Sequence, residues 1–298
     1  MKDFRVAAVQ MNALLGKVEE NLAAHEAWAA RAADAGAQLV VFPESSVSSH
    51  LCEAGASRYA EPVPGGPSTQ RLLAAAKRHG LFIGAGLAEL ANGAVYNSYV
   101  LVGPEGVVGV QRKVHPSGDE YFFYRAGSSF DVFDLPFARV GVNVCADNNF
   151  PESSRVSALK GAEVLLSVHA ARCGPAPKDA DDERARVRES KDSSRRRLRG
   201  RVVDNGFFLV FTNQSGLAGQ VKEEGGWTNT RDVVHAGGVL IFKPDGEVIA
   251  ESKGERFGDE TVVADLKAED LAAVRGRKCF NLTLRRPEAY GIIADTSV

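Results

Sequence analysis

The chain has 298 residues, 44% of them apolar, and its 36 Lys and Arg against 38 Asp and Glu give a formal net charge of −2. That length and apolar share can bury a substantial core, while the near-balanced charge disfavours general attraction to nucleic acid or other polyanions. No uncharged apolar run is long enough to span a bilayer, no signal-peptide pattern opens the chain, and no Pro-, Gly- or Ser-rich linker divides it, so one soluble, cytoplasmic domain over residues 1–298 is expected.

In chain order, Arg5 to Gln10 reads as an apolar strand and Val18 to Ala35 as a helix with Leu22, Ala23, Trp28, Ala32 and Ala33 on its small or apolar faces. Gln38 to Phe42 has the unbroken apolar character of a strand covered on both sides, and it runs directly into Pro43 and Glu44. Ser68 is expected to cap a helix that ends at His79 before Gly80, and Leu81 to Gly86 follows as a strand. A hairpin is expected from Val95 to Val102, turned by Gly103-Pro104-Glu105-Gly106 into Val107 to Val110. Val140 to Val144 then enters Cys145, with a helix starting at Pro151 and a strand from Val164 to Val168 beyond it. The later part repeats the earlier design: a helix through Arg195 to Asp204, a strand Phe207 to Thr212, and a hairpin from Gly238 to Phe242 turned by Lys243-Pro244-Asp245-Gly246 into Glu247 to Ala250. Two related halves are implied, their sheets packed face to face with helices outside, in a four-layer α-β-β-α sandwich. Residues 276–298 show no helical period and read as a frayed tail or a closing strand.

Three of these segments end on residues with chemistry. A thiol at a strand-to-helix bend lies where the turn backbone and the first helical N–H groups can lower its pKa and later hold an oxyanion. Cys145 occupies such a bend, Glu44 ends an apolar strand, and Lys113 follows the second strand of a hairpin with Glu120 seven residues on. The four cysteines, Cys52, Cys145, Cys173 and Cys279, form no CxxC pattern, so reduced thiols are expected and neither a disulfide framework nor a zinc site.

In order and spacing, Phe42-Pro43-Glu44, Lys113-Val114-His115, Glu120 to Gly127, Cys145-Ala146-Asp147 with Phe150-Pro151-Glu152, Asn213-Gln214-Ser215-Gly216 and Pro244-Asp245-Gly246 resemble the nitrilase superfamily, the carbon–nitrogen hydrolases, over nearly the whole chain. The resemblance implies the same four-layer sandwich, with Cys145 as nucleophile, Glu44 as general base, Lys113 as the cation at the tetrahedral intermediate and Glu120 as a second acid positioning lysine and substrate. It implies a thioester acyl-enzyme, release of ammonia or an amine, no metal or organic cofactor, and a homodimer or larger homo-oligomer in which the tail can pack across a partner. Asp147, two residues after the cysteine, points to the amidase and carbamoylase branches and hence to a small linear amide or N-carbamoyl substrate, with nitrile hydrolysis as the alternative. Ala146 stands where an aromatic residue is usual; its backbone N–H remains available to an oxyanion, and the pocket loses a large side chain. His115-Pro116 replaces the more usual His-Leu.

Other readings remain open on sequence. The Arg184 to Arg201 segment has a nucleic-acid-like arginine run, but interleaved Asp181, Asp182, Glu189 and Asp192 favour a solvated helix face laced with ion pairs. One of Arg195, Arg196 and Arg197, or alternatively Arg172 after the strand Val164 to Val168, could read a substrate carboxylate. A Cys–His hydrolase using His115, His169 or His235, an acyltransferase on the same residues, and a non-catalytic binding module complete the set.

Overall fold

A computed structural model describes residues 1–52, 56–222 and 230–297. In chain order its elements are β1 (Phe4–Gln10), α1 (Val18–Asp34), β2 (Leu39–Val41), α2 (Pro67–His79), β3 (Phe82–Ala91), β4 (Ala94–Gly103), β5 (Gly106–Arg112), α3 (Glu120–Phe123), β6 (Val132–Asp134) and β7 (Arg139–Val144). They continue as α4 (Pro151–Leu159), β8 (Val164–His169), α5 (Ala180–Asn205), β9 (Phe208–Asn213), β10 (Ser215–Lys222), β11 (Thr230–Ala236), β12 (Val239–Phe242), β13 (Val248–Glu251), β14 (Glu260–Leu266) and α6 (Ala268–Arg275).

Two six-stranded sheets, ordered β14-β1-β2-β3-β4-β5 and β13-β12-β9-β8-β7-β6, form the centre of the protein. Their connectivities match. In the first sheet β1, β2 and β3 run parallel, joined through α1 and α2, and β4 and β5 follow antiparallel. In the second, β7, β8 and β9 run parallel through α4 and α5, and β12 and β13 follow antiparallel. An antiparallel edge strand flanks each leading strand, β14 beside β1 and β6 beside β7. The two related halves expected from sequence are therefore present.

The period of two along each strand explains the layers. Val6 and Ala8 of β1, Leu39 and Val41 of β2, Val140, Val142 and Val144 of β7, and Val164, Leu166 and Val168 of β8 share one buried cluster between the sheets. The alternate residues face outward: Ala7, Val9 and Val40 meet Leu22, Ala29, Ala32, Leu72 and Ala76 of α1 and α2. Leu165 and Leu209 likewise meet Leu198 and Val202 of α5. Strands buried on both faces carry the continuous apolar runs that mark them in the sequence.

Several boundaries differ from expectation for identifiable reasons. The second helix starts at Pro67 after Gly66, and Ser68 lies inside its first turn, its N–H donating to Glu61 Oε2 at 3.1 Å; Gly80 ends the helix in the left-handed conformation as expected. α5 is far longer than the expected helix through Arg195 to Asp204, starting after Asp179, whose side chain accepts from the N–H groups of Asp181 and Asp182. Among the described residues the tail adds no strand: the first sheet's edge is closed instead by β14, paired from Phe4↔Leu266 to Gln10↔Glu260, and after α6 the described chain forms turns and short 3-10 helices. Among the described residues no helix is long and apolar enough to cross a membrane.

The sheets deliver their C-terminal strand ends to one place, and Gly86 of β3 shows how closely. A Cβ there would stand 2.0 Å from the backbone N of Ser45 and 2.8 Å from Cα of Glu44. Gly86→Ala is therefore expected to displace the Glu44 turn, lowering stability by about 1–3 kcal/mol and reducing turnover with it. Denaturant unfolding and steady-state rates check this; a variant with wild-type midpoint and wild-type rate would show the packing to be slack.

Candidate active site

Glu44, His50, Cys52, Lys113, Ser117, Asp119, Cys145, Ala170, Ala171 and Arg172 line one cavity of about 220 Å³ at the strand ends. Glu44 follows β2, Lys113 follows β5 and Cys145 follows β7, so the two sheets must both be in place to assemble the group.

Lys113 is the hub. Only 2% of its side chain is exposed, and its Nζ donates to Glu44 Oε1 at 2.8 Å and to Glu120 Oε2 at 2.7 Å. Asn97 of β4 bridges the same acids, its Nδ2 donating to Glu44 Oε1 and Glu120 Oε1 at 2.8 Å each. The other oxygen of Glu44 accepts the Ala170 backbone N–H at 2.6 Å. Glu120 also accepts from His50 Nε2 at 3.0 Å and from the Ser117 backbone N–H at 2.8 Å. Tyr99 Oη donates to the Phe42 carbonyl and Gln214 Nε2 to the Glu44 carbonyl, each at 2.8 Å, which fixes the turn that carries Glu44.

These contacts set the charges. Burial raises the Glu44 pKa, but Lys113 and His50 outweigh it, and the carboxyl is held below its ordinary value. Glu120 behaves likewise, its burial overcome by His50 and Lys113. For Lys113 burial works against the ammonium, and Glu44, Cys145 and Glu120 raise its pKa well above the ordinary value. His50 is lifted to about 10, burial being outweighed by the Cys52 sulfur and by Glu120. Lys113 keeps the third N–H of its ammonium beyond the two given to carboxylates.

Cys145 has φ +46, a left-handed conformation that costs a non-glycine residue on the order of 1 kcal/mol or more. The turn is held from behind. Asp147 Oδ2 accepts the Val144 N–H at 3.0 Å, while Oδ1 accepts the His115 N–H and faces His115 Nδ1 at 2.8 Å. Asn148 Nδ2 donates to the Cys145 carbonyl at 3.1 Å and lies 3.2 Å from His169 Nε2. Burial and the neighbouring Glu44 charge push the Cys145 thiol well up, against the pull of Lys113. The resting sulfur is thus a thiol beside a carboxylate.

Of the residues singled out in the sequence, Glu44, Lys113, Glu120 and Cys145 converge, and Arg172 joins them in the cavity wall. Ala146 is buried in the Cys145 turn. Asp147 is also fully buried, and its oxygens are occupied by Val144 and His115, so it holds the cysteine turn rather than facing the cavity. Arg195 pairs with Asp192 and Glu251, and Arg197 with Asn149, which places both on the helix side of the second sheet. The histidines are engaged elsewhere: His115 with Asp147, and His169 with Ser167 and Asn148. Burial lowers the pKa of His169 to about 4 and that of His235 to about 3, so both are neutral. Sequence reasoning missed Asn97, His50 and Ser117; the one signal for Asn97 is a polar pair, Asn97-Ser98, inside an otherwise apolar strand.

The carbon-nitrogen hydrolase family model matches residues 5–276. A protein named nitrilase from Pyrococcus abyssi is 42% identical over 293 residues, covering 96% of this chain and 98% of that one. An N-carbamoylputrescine amidase from Solanum lycopersicum is 30% identical, with 97% and 94% covered. The crystal structure of a carbon-nitrogen hydrolase from Helicobacter pylori superposes with a TM-score of 0.81 at 24% identity, covering 98% of each chain. The chain belongs to the carbon-nitrogen hydrolase family, the nitrilase superfamily.

Proposed function

We propose that this enzyme cleaves the C–N bond of a small linear amide or N-carbamoyl compound through a Cys145 thioester and releases ammonia. The observation that carries the reading is Cys145, strained at φ +46 and protonated, in one cavity with a Glu44 carboxylate that is itself clamped to Lys113. The relatives' names span both chemistries, a nitrilase at 42% identity and an N-carbamoylputrescine amidase at 30%, and nitrile hydrolysis is the alternative that the assay below separates.

The Cys145 sulfur attacks the carbonyl carbon as Glu44 takes the thiol proton, and the developing oxyanion is met by the free N–H of Lys113 and the backbone N–H of Ala146. Glu44 returns the proton to the departing nitrogen as the C–N bond breaks. Glu44 then takes a proton from a water that attacks the thioester, and the acid leaves as the proton passes back to sulfur. Glu120 acts through Lys113 and His50, holding the ammonium in place.

Homo-oligomerisation is part of the proposal: Phe150, Val156, Leu159 and Val203 are exposed apolar side chains on and beside α4 and α5, which pack against each other on one outer face. Light scattering is expected to return a multiple of one chain's mass; a monomer at micromolar concentration would overturn this part.

Ammonia release from short amides, N-carbamoyl compounds and nitriles tests the reaction. Cys145→Ala is expected to abolish it together with the covalent adduct seen by intact mass, and Glu44→Gln to slow it about 10²–10⁴-fold. Release that persists in Cys145→Ala would refute the mechanism. Hydroxylamine capture that outpaces hydrolysis would instead favour the acyltransferase alternative.

The pKa directions fix the pH profile. A carboxyl held below its ordinary value stays ionised as pH falls, and a thiol pushed up does not ionise near the free-cysteine value of about 8.5. For a neutral amide, kcat/KM is expected to be flat from about pH 6 to 9, with its acid limb below the usual carboxylate range. A limb centred near the free-thiol pKa would mean that Cys145 ionises alone, and Glu44 would lose its role as base.

A further inference from the structure

One cation of the cavity wall, Arg172, has no carboxylate within ion-pair distance among the described residues. Glu44 and Glu120 stand against Lys113 and His50, a balanced set in which every member has an oppositely charged partner within 3.0 Å. Asp119, the remaining acid of the lining, has Arg231 at 3.9 Å and is largely exposed. Arg172 is left over. Its Nη2 donates to the His50 carbonyl at 3.1 Å, its Nε is buried with no hydrogen-bond partner, and among the described residues no carboxylate lies within 4.0 Å of it. Leaving a buried donor of a charged group unmet costs free energy that a planar, bidentate anion would recover.

The cavity also limits size. At about 220 Å³ it is smaller than the roughly 300–1,000 Å³ typical of drug-sized ligands, so a substrate bonded to Cys145 at one end has its other end within the same wall. We propose that the substrate is an amide or N-carbamoyl compound bearing a carboxylate at the end remote from the scissile bond, and that Arg172 is the specificity-determining residue that receives it. The inference rests on the hydrolase reading above for the reacting end and on Arg172 alone for the other. Asp119 offers an amine-terminated substrate a poorer site, because its carboxylate is solvated and already faces a guanidinium.

The test compares succinamate, neutral butanamide and amine-terminated γ-aminobutyramide in the wild type, Arg172→Lys and Arg172→Gln, with folding of each variant checked by thermal melting. The wild type is expected to favour succinamate over butanamide by about 10- to 100-fold in kcat/KM, the range of a charge-assisted hydrogen bond. Arg172→Gln should erase that ratio mainly through KM, and Arg172→Lys should restore part of it. A ratio unchanged by Arg172→Gln, or a wild type that prefers γ-aminobutyramide, overturns the proposal while leaving the hydrolase reading intact. Calorimetric titration of succinamate into Cys145→Ala, with and without Arg172→Gln, decides the point even if no amide is turned over: binding weakened by the second substitution supports it. Affinity equal in the two proteins, or no better than that of butanamide, overturns it.

Discussion

A lysine buried to 2% exposure cannot stay charged on its own, and the architecture around the cavity answers to that one requirement. Two carboxylates hold it, each of them in turn needing donors: Asn97 for both, Ala170 for Glu44, Ser117 and His50 for Glu120. Those donors come from different elements of both sheets. Removing one member of such a set leaves an unpaired buried charge, a loss of about 3–5 kcal/mol, whereas the complete set is close to neutral in stability. The cluster is better understood as a device that fixes positions than as a source of stability.

The cysteine is positioned by a different principle. Its left-handed backbone is unfavourable in itself and persists because Asp147 ties down the Val144 N–H before it and Asn148 the Cys145 carbonyl itself. Burial and the Glu44 charge keep the sulfur protonated, and in the proposed reaction Lys113 offers a positive group to an oxygen that carries charge only after attack. In the proposed reaction, proton uptake and nucleophilic attack are thereby linked to a single carboxylate.

Much of the scaffold was legible in the sequence because strands covered on both faces are continuously apolar, as Val164 to Val168 and Phe207 to Thr212 are. The repetition of helix, strand and hairpin disclosed the two halves, and the resemblance brought Glu44, Lys113, Glu120 and Cys145 into one group before any geometry was available. Local periodicity failed where structure is set from afar. β14 is recognised as an edge strand only by its pairing with β1, and α5 carries charge on most of its faces, so no apolar stripe announces its full length. The resemblance made Asp147 a pointer to the substrate class; in the structure its oxygens are taken by the Val144 N–H and by the His115 N–H from the other sheet's loop, a partner invisible in one dimension. Asn97 and His50 were silent for the same reason, since their roles exist only once Glu44 and Glu120 have been brought together.

The matching connectivity of the two sheets has a mechanical consequence. The ends of β2 and β8 occupy equivalent places in the two halves, and they meet at the 2.6 Å bond from the Ala170 N–H to Glu44. The group of Glu44, Lys113 and Cys145 on that seam belongs to neither half alone. It also makes the seam a sensor of alignment. A slip of one sheet over the other by a fraction of an ångström would leave the secondary structure and most of the core intact, yet it would already shift Glu44, Lys113 and Cys145 relative to one another.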